Sequence, residues 1–210
     1  MQRKEIYYTP GNIQAESLKI LESANLFDKS KRFPFSFEDC ALLVLDMQNY
    51  FLIEESNAFI PSAPAIIPFI NSAIKKFKSY DLPVIYTKHI DVPDSSMLRW
   101  WKNSISGDDI YSGIIFEGDV IVKTYYDAFS GTNLESFLKS KNIKRILICG
   151  VMGNLCCEHT ARSAFLKGYE VFFSVDGTAC YNREFHKATV LNLSFGYAVP
   201  VLLNKIADNR

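Results

Sequence analysis

The chain has 210 residues, enough for one well-filled domain, and no stretch of it reads as an inter-domain linker. Its 23 Lys and Arg balance its 23 Asp and Glu, so no long-range field draws it to nucleic acid or an anionic membrane surface, and no apolar run approaches the ~20 residues that span a bilayer. Five cysteines at irregular spacing and no apolar leader stretch argue against a secreted disulfide framework, so the expectation is a reduced, cytoplasmic protein whose partner is a small molecule.

Tyr7-Tyr8-Thr9-Pro10-Gly11 is a turn signal, after which Ile13, Leu18, Ile20, Leu21 and Leu26 recur near helical spacing. Residues 1–39 therefore read as a helical arm and an extended lead-in, ahead of a domain over 40–210. Such an arm can wrap its own domain or a neighbouring subunit, and the residues do not choose. Residues 41–46 are a continuous apolar run closing on Asp46, the pattern of a strand buried on both faces. An acid there sits where open parallel sheets bind ligands, although Asp46 could also simply cap a turn with Gln48 and Asn49.

Residues 61–68 start a helix that Ile66, Ile67, Ile70, Ile74 and Phe77 continue to Tyr80, and 82–87 form the second strand. Strand, helix and strand in this order imply a right-handed parallel crossover. The segment from His89 to Asp109 is polar and turn-rich, long enough to be a lid; Trp100 and Trp101 within it either pack on the core or reach a substrate. A third strand over 120–122 closes on Lys123.

A helix over 132–141, a strand over 145–150 and a helix over 154–167 follow, the last with Asn154 as N-cap and Gly168 as C-cap. A strand over 170–176, a helix over 184–196 and a strand over 198–203 complete the chain, and Pro200 marks that strand as an edge. Strands alternating with helices throughout give an α/β fold, a parallel sheet of about six strands covered on both faces.

The turn over 150–161 carries the chemistry. A thiol between a strand end and a helix N-terminus, with a cation nearby, is placed to ionise, and a nucleophilic thiol also needs a proton acceptor. Asp46 supplies the acceptor and Lys123 the cation, while backbone N–H groups near Met152 and Cys156 can receive the oxyanion of a tetrahedral intermediate. That describes acyl transfer to water, with either Cys156 or Cys157 as nucleophile. His159, three residues after Cys156, is a candidate base, but a turn nucleophile usually looks away from the helix flank. His89 ends a strand at the active edge, within reach of a substrate; His186 reads as a solvated helix residue.

Residues 43–51, 122–134 and 150–161, in that order and at these separations, resemble the isochorismatase-like cysteine hydrolase family, from about residue 40 onward. The resemblance implies a three-layer α/β/α sandwich, an Asp46, Lys123 and Cys156 triad, and a cis peptide between Val151 and Met152 that turns backbone N–H groups of the oxyanion hole inward. It selects Cys156 over Cys157 and implies a dimer or tetramer. Gln48, Phe51, His89, Trp100, Trp101 and Phe129 are the candidates to line the substrate pocket. Metal-dependent nicotinamidases place an Asp and histidines soon after the first motif; no histidine lies between Asp46 and His89, so neither a metal nor another cofactor is expected. Isochorismatases proper carry a small residue in place of the nucleophile. Cys156 therefore favours hydrolysis of a small amide, imide or carbamoyl C–N bond through a thioester. The alternatives are a vinyl ether hydrolase and a non-hydrolytic redox or ligand-binding protein that uses the vicinal thiols.

Overall fold

A computed structural model describes residues 4–103, 105 and 109–208. The apolar runs form strands because their side chains are covered on both faces: β1 (Cys40–Leu45) is buried at every position. It pairs in parallel with β2 (Val84–His89) on one side and with β4 (Arg145–Val151) on the other. With β3 (Asp119–Lys123), β5 (Glu170–Ala179) and β6 (Val199–Val201), the described residues form a six-stranded parallel sheet in the order β3-β2-β1-β4-β5-β6. The crossover helices α3 (Ala63–Ser79), α5 (Leu134–Ser140), α6 (Glu158–Leu166) and α7 (Arg183–Gly196) complete the α/β/α sandwich. Strand order reverses between β1 and β4, the switch point where such sheets open a crevice at their carboxyl ends.

The arm packs on its own domain. Its helix α1 (Ile13–Glu22) buries Ile13 and Ile20, and Tyr7 and Tyr8 ahead of it are in the core. Those tyrosines explain a correction: His186 on α7 is fully buried rather than solvated. Tyr7 Oη lies 3.1 Å from His186 Nδ1, and Thr178 Oγ1 lies 3.0 Å from Nε2.

Three local departures have physical causes. The turn after β4 is a π-helical stretch, Gly153–Cys157, closed by the Cys157 N–H on the Met152 carbonyl, so Asn154 lies inside it and makes no capping bond. Strand β6 stops early, because Asp176 accepts hydrogen bonds from the N–H groups of Leu203 and Asn204 and so starts the helix α8 (Leu203–Asp208). The polar segment after β2 contains one short helix among its described residues, α4 (Ser96–Trp101), which Ser95 caps; another short helix, α2 (Asn49–Leu52), follows β1. Ser104 and residues 106–108 of the lid expected over 89–109 lie outside the described residues. Among the described residues no helix is long and apolar enough to cross a membrane.

Candidate active site

The site begins with a close approach of two backbones. Gly150, in register with Leu45, has φ +112°, and a Cβ on it would collide with the Leu45 backbone. The ends of β1 and β4 are thereby drawn together, which sets Asp46 beside the cysteine turn. Asp46 itself has φ +50°, a left-handed conformation that Asp adopts more readily than most residues. The Thr87 hydroxyl holds it there, accepting from the Asp46 N–H at 3.1 Å and donating to Oδ1 at 2.5 Å.

Lys123 reaches in from β3. Its Nζ lies 2.7 Å from Asp46 Oδ2, 3.1 Å from the Tyr125 carbonyl, and 3.4 Å from both Cys156 Sγ and His89 Nδ1. Asp46, Lys123 and Cys156 are all buried. The three strand-edge residues singled out in the sequence therefore converge, and the Val151–Met152 peptide that precedes the turn is cis. Asp46 Oδ2 makes the ion pair but accepts no well-aligned hydrogen bond among the described residues, so it keeps room for a proton.

The electrostatics correct one expectation. Burial pushes the Cys156 thiol up to about 12; Lys123 pulls it down and Asp46 pushes it further up. The thiolate is disfavoured, because removing the sulfur from water outweighs one cation already paired with a carboxylate. Burial also disfavours the Lys123 ammonium, but Asp46 and Cys156 beside it more than offset this and raise it above its ordinary value. Asp46 supplies the larger of these two interactions.

Above Cys156 opens a cavity of about 1140 Å³. Phe51, His89 and Trp101 line it as expected, together with Met152, Leu155 and Cys156. Three expected lining residues do not. Gln48 is fully buried and clamps the His89 main chain, accepting from its N–H at 2.7 Å and donating to its carbonyl at 3.1 Å. Trp100 is 77% exposed, on the outer side of α4, whose other face turns Trp101 inward. Phe129 is buried elsewhere, stacked on Tyr169. His159 is exposed, with Nδ1 3.0 Å from the Leu155 carbonyl, and Cys157 is fully buried.

Sequence reasoning missed Asp91, Tyr126 and Tyr181, which also line the cavity. The first two carried a usable signal: Asp91 lies two residues beyond His89 and Tyr126 three beyond Lys123, both just past strand ends. Lys4, from the arm, reaches the rim and donates to the Asn57 carbonyl at 2.7 Å. Among the described residues no group of three or more His, Cys, Asp or Glu side chains comes together that could hold a metal ion.

The chain is similar to known proteins in sequence and in fold. An isochorismatase domain is matched over residues 40–203. A nicotinamidase of Arabidopsis thaliana is 38% identical over 199 residues, covering 88% of this chain and 94% of that protein. A cysteine hydrolase from Pseudomonas syringae pv. phaseolicola superposes with a TM-score of 0.77 at 20% identity, covering 83% of this chain and 93% of that one. N-carbamoylsarcosine amidase from Thermoplasma acidophilum superposes with a TM-score of 0.71 at 24% identity, covering 81% and 97%. The chain belongs to the isochorismatase-like cysteine hydrolase family.

Proposed function

We propose that the protein hydrolyses the C–N bond of a small amide, imide or carbamoyl compound through a thioester at Cys156. The observation that carries this reading is the contact of the Cys156 thiol with the buried Lys123–Asp46 pair at the wall of an open cavity. Because burial disfavours the thiolate, attack needs a base at the moment of bond formation. Asp46 takes the proton as Sγ bonds to the acyl carbon, and the carbonyl electron pair moves to oxygen, which the backbone N–H groups of Met152 and Cys156 receive. Collapse breaks the C–N bond, and the leaving nitrogen takes the proton from Asp46. Water then gives a proton to Asp46 and its oxygen to the acyl carbon. The C–S bond breaks, and sulfur recovers the proton. Lys123 balances the negative charge at each stage.

The cavity wall favours a C–N substrate over a vinyl ether of the isochorismate kind. It carries Glu54, Glu55 and Asp91 against Lys4, with no arginine among the described lining, a poor match for a dicarboxylate. Tyr50, Phe51, Trp101, Tyr126 and Tyr181 offer flat apolar surface. The name of the Arabidopsis relative makes nicotinamide the first compound to try. The five free thiols suit a reducing compartment.

Intact-protein mass spectrometry after brief mixing with nicotinamide and a panel of small amides should reveal an acyl adduct on Cys156, with ammonia or an amine released. A Cys156→Ala variant that turned over the same compounds at an unchanged rate would sink the covalent role.

A further inference from the structure

His89 makes two contacts that the hydrolysis above leaves unused. One ring nitrogen, Nδ1, faces Lys123 at 3.4 Å, and the other, Nε2, faces Asp91 Oδ1 at 3.3 Å. We propose that Asp91 and His89 are a positioning pair: they hold the Lys123 ammonium against Asp46 and Cys156, and they tie that placement to the segment that follows β2. The catalytic consequence rests on the hydrolase reading, whereas the contacts themselves do not.

The ammonium has three hydrogens and three hydrogen-bond acceptors, namely the Tyr125 carbonyl, Cys156 and His89, with Asp46 beside it as the counter-charge. His89 takes one of those hydrogens only if Nδ1 is bare, which puts its own proton on Nε2, toward Asp91. Gln48 clamps the His89 main chain on both its N–H and its carbonyl, so the ring has a fixed origin and Asp91 sets its tilt. Asp91 in turn is bound to Ile105 twice: its Oδ2 accepts from the Ile105 N–H at 2.9 Å, and its own N–H donates to the Ile105 carbonyl at 2.9 Å. Ile105 lines the cavity. A second tie runs parallel, since Trp101 Nε1–H donates to Tyr126 Oη at 2.8 Å, next to Tyr125, whose carbonyl accepts from Lys123. Movement of this segment away from the cavity therefore breaks the support of the ring that orients the lysine.

The charged groups facing His89 are Lys123 on β3, Asp46 at the end of β1, and Asp91 on its own side. Burial, then Lys123, hold its pKa below the ordinary value, against the two carboxylates. At neutral pH the ring is the acceptor that the ammonium needs. Protonation at lower pH would turn Nδ1 into a donor aimed at a cation, and the contact would be lost.

Two measurements test the pair without a substrate, and turnover adds a third. In 15N-imidazole spectra, with His89 identified by its loss in His89→Asn, the ring should be the neutral Nε2–H tautomer at neutral pH, and Asp91→Asn should shift its titration to lower pH. Alkylation of Cys156 by iodoacetamide, followed by peptide mass spectrometry, should slow about tenfold in His89→Leu but stay within about threefold in His89→Asn, which keeps an acceptor near Nδ1. With a hydrolysed amide in hand, kcat should fall in His89→Leu while KM changes little. An Nδ1–H tautomer, an unmoved His89 titration in Asp91→Asn, or wild-type alkylation in His89→Leu would each overturn the proposal. If His89→Leu does not fold, the Asp91→Asn titration still decides. Failure to find any amide substrate, with the tautomer and alkylation results as expected, would strike the hydrolase reading and leave the pair standing.

Discussion

Two buried polar clusters flank the carboxyl half of the sheet, and they differ in how completely they are hydrogen-bonded. Around His186 every group has a partner. The Cys180 N–H donates to Tyr7 Oη, whose hydrogen is left for His186 Nδ1; on the other side Thr178 Oγ1 donates to the Ser174 carbonyl, which leaves it to accept from His186 Nε2–H. Around Cys156 the account does not close. Asp46 Oδ2 makes an ion pair but accepts no aligned hydrogen bond, because the three hydrogens of the Lys123 ammonium have the Tyr125 carbonyl, Cys156 and His89 as partners, and a cavity opens on the sulfur. Burial alone does not mark a reactive cluster, since both are buried. Spare bonding capacity beside an open cavity does. A satisfied network holds the arm to the domain, and an unsatisfied one is ready to take a proton.

Substitutions can break that contrast in order of expected effect. Cys156→Ala should lower amide turnover at least about 10⁴-fold, read as ammonia release, with an unchanged circular dichroism spectrum. Asp46→Asn removes the proton acceptor and leaves a buried ammonium without its counter-charge. Turnover should fall about 10² to 10⁴-fold, and urea unfolding should report a loss of about 3–5 kcal/mol.

The His186 cluster should respond in stability instead. Burial drives the His186 pKa down to about 3, so the folded state keeps the ring neutral while the unfolded chain takes up a proton below the ordinary value. The stability contribution is present above about pH 6.5 and lost as pH falls, by roughly 2 kcal/mol between pH 6.5 and 5. Unfolding curves across that range should show the loss, and His186→Gln should reduce the slope. Tyr7→Phe, which unpairs the Cys180 N–H and His186 Nδ1, should cost about 1–3 kcal/mol in the same assay while turnover stays within about twofold. Equal losses of turnover in Tyr7→Phe and Asp46→Asn would erase the distinction between the clusters.

The positions of Asp46, Lys123 and Cys156 were legible because each follows a run apolar enough to be a buried strand, and parallel strands bring their carboxyl ends to one edge. Their ionisation was not legible. A cation and a helix terminus near a cysteine suggest a thiolate, but the cost of burial is a property of the assembled site, and here it reverses the sign. Trp100 and Phe129 failed as pocket residues for a related reason: an aromatic side chain announces a preference for burial or contact, not the direction it faces. The mismatch at β6 has a different origin, because the residue that starts α8, Asp176, lies on another strand.

By itself the sequence determined the alternation of strands and helices, the sheet they build and the placing of Asp46, Lys123 and a pair of cysteines at its edge, since these follow from local apolar pattern and from the handedness of parallel crossovers; the family resemblance selected Cys156 from the pair. Only the tertiary structure decided that His186 is buried, that burial disfavours the Cys156 thiolate, and that Asp91 and His89 stand behind Lys123. Each of these depends on contacts between side chains far apart in the chain: Tyr7 with His186, Lys123 with Asp46 and Cys156, and Lys123 with His89. A one-dimensional pattern has no record of such distances, and water is excluded only where they are short.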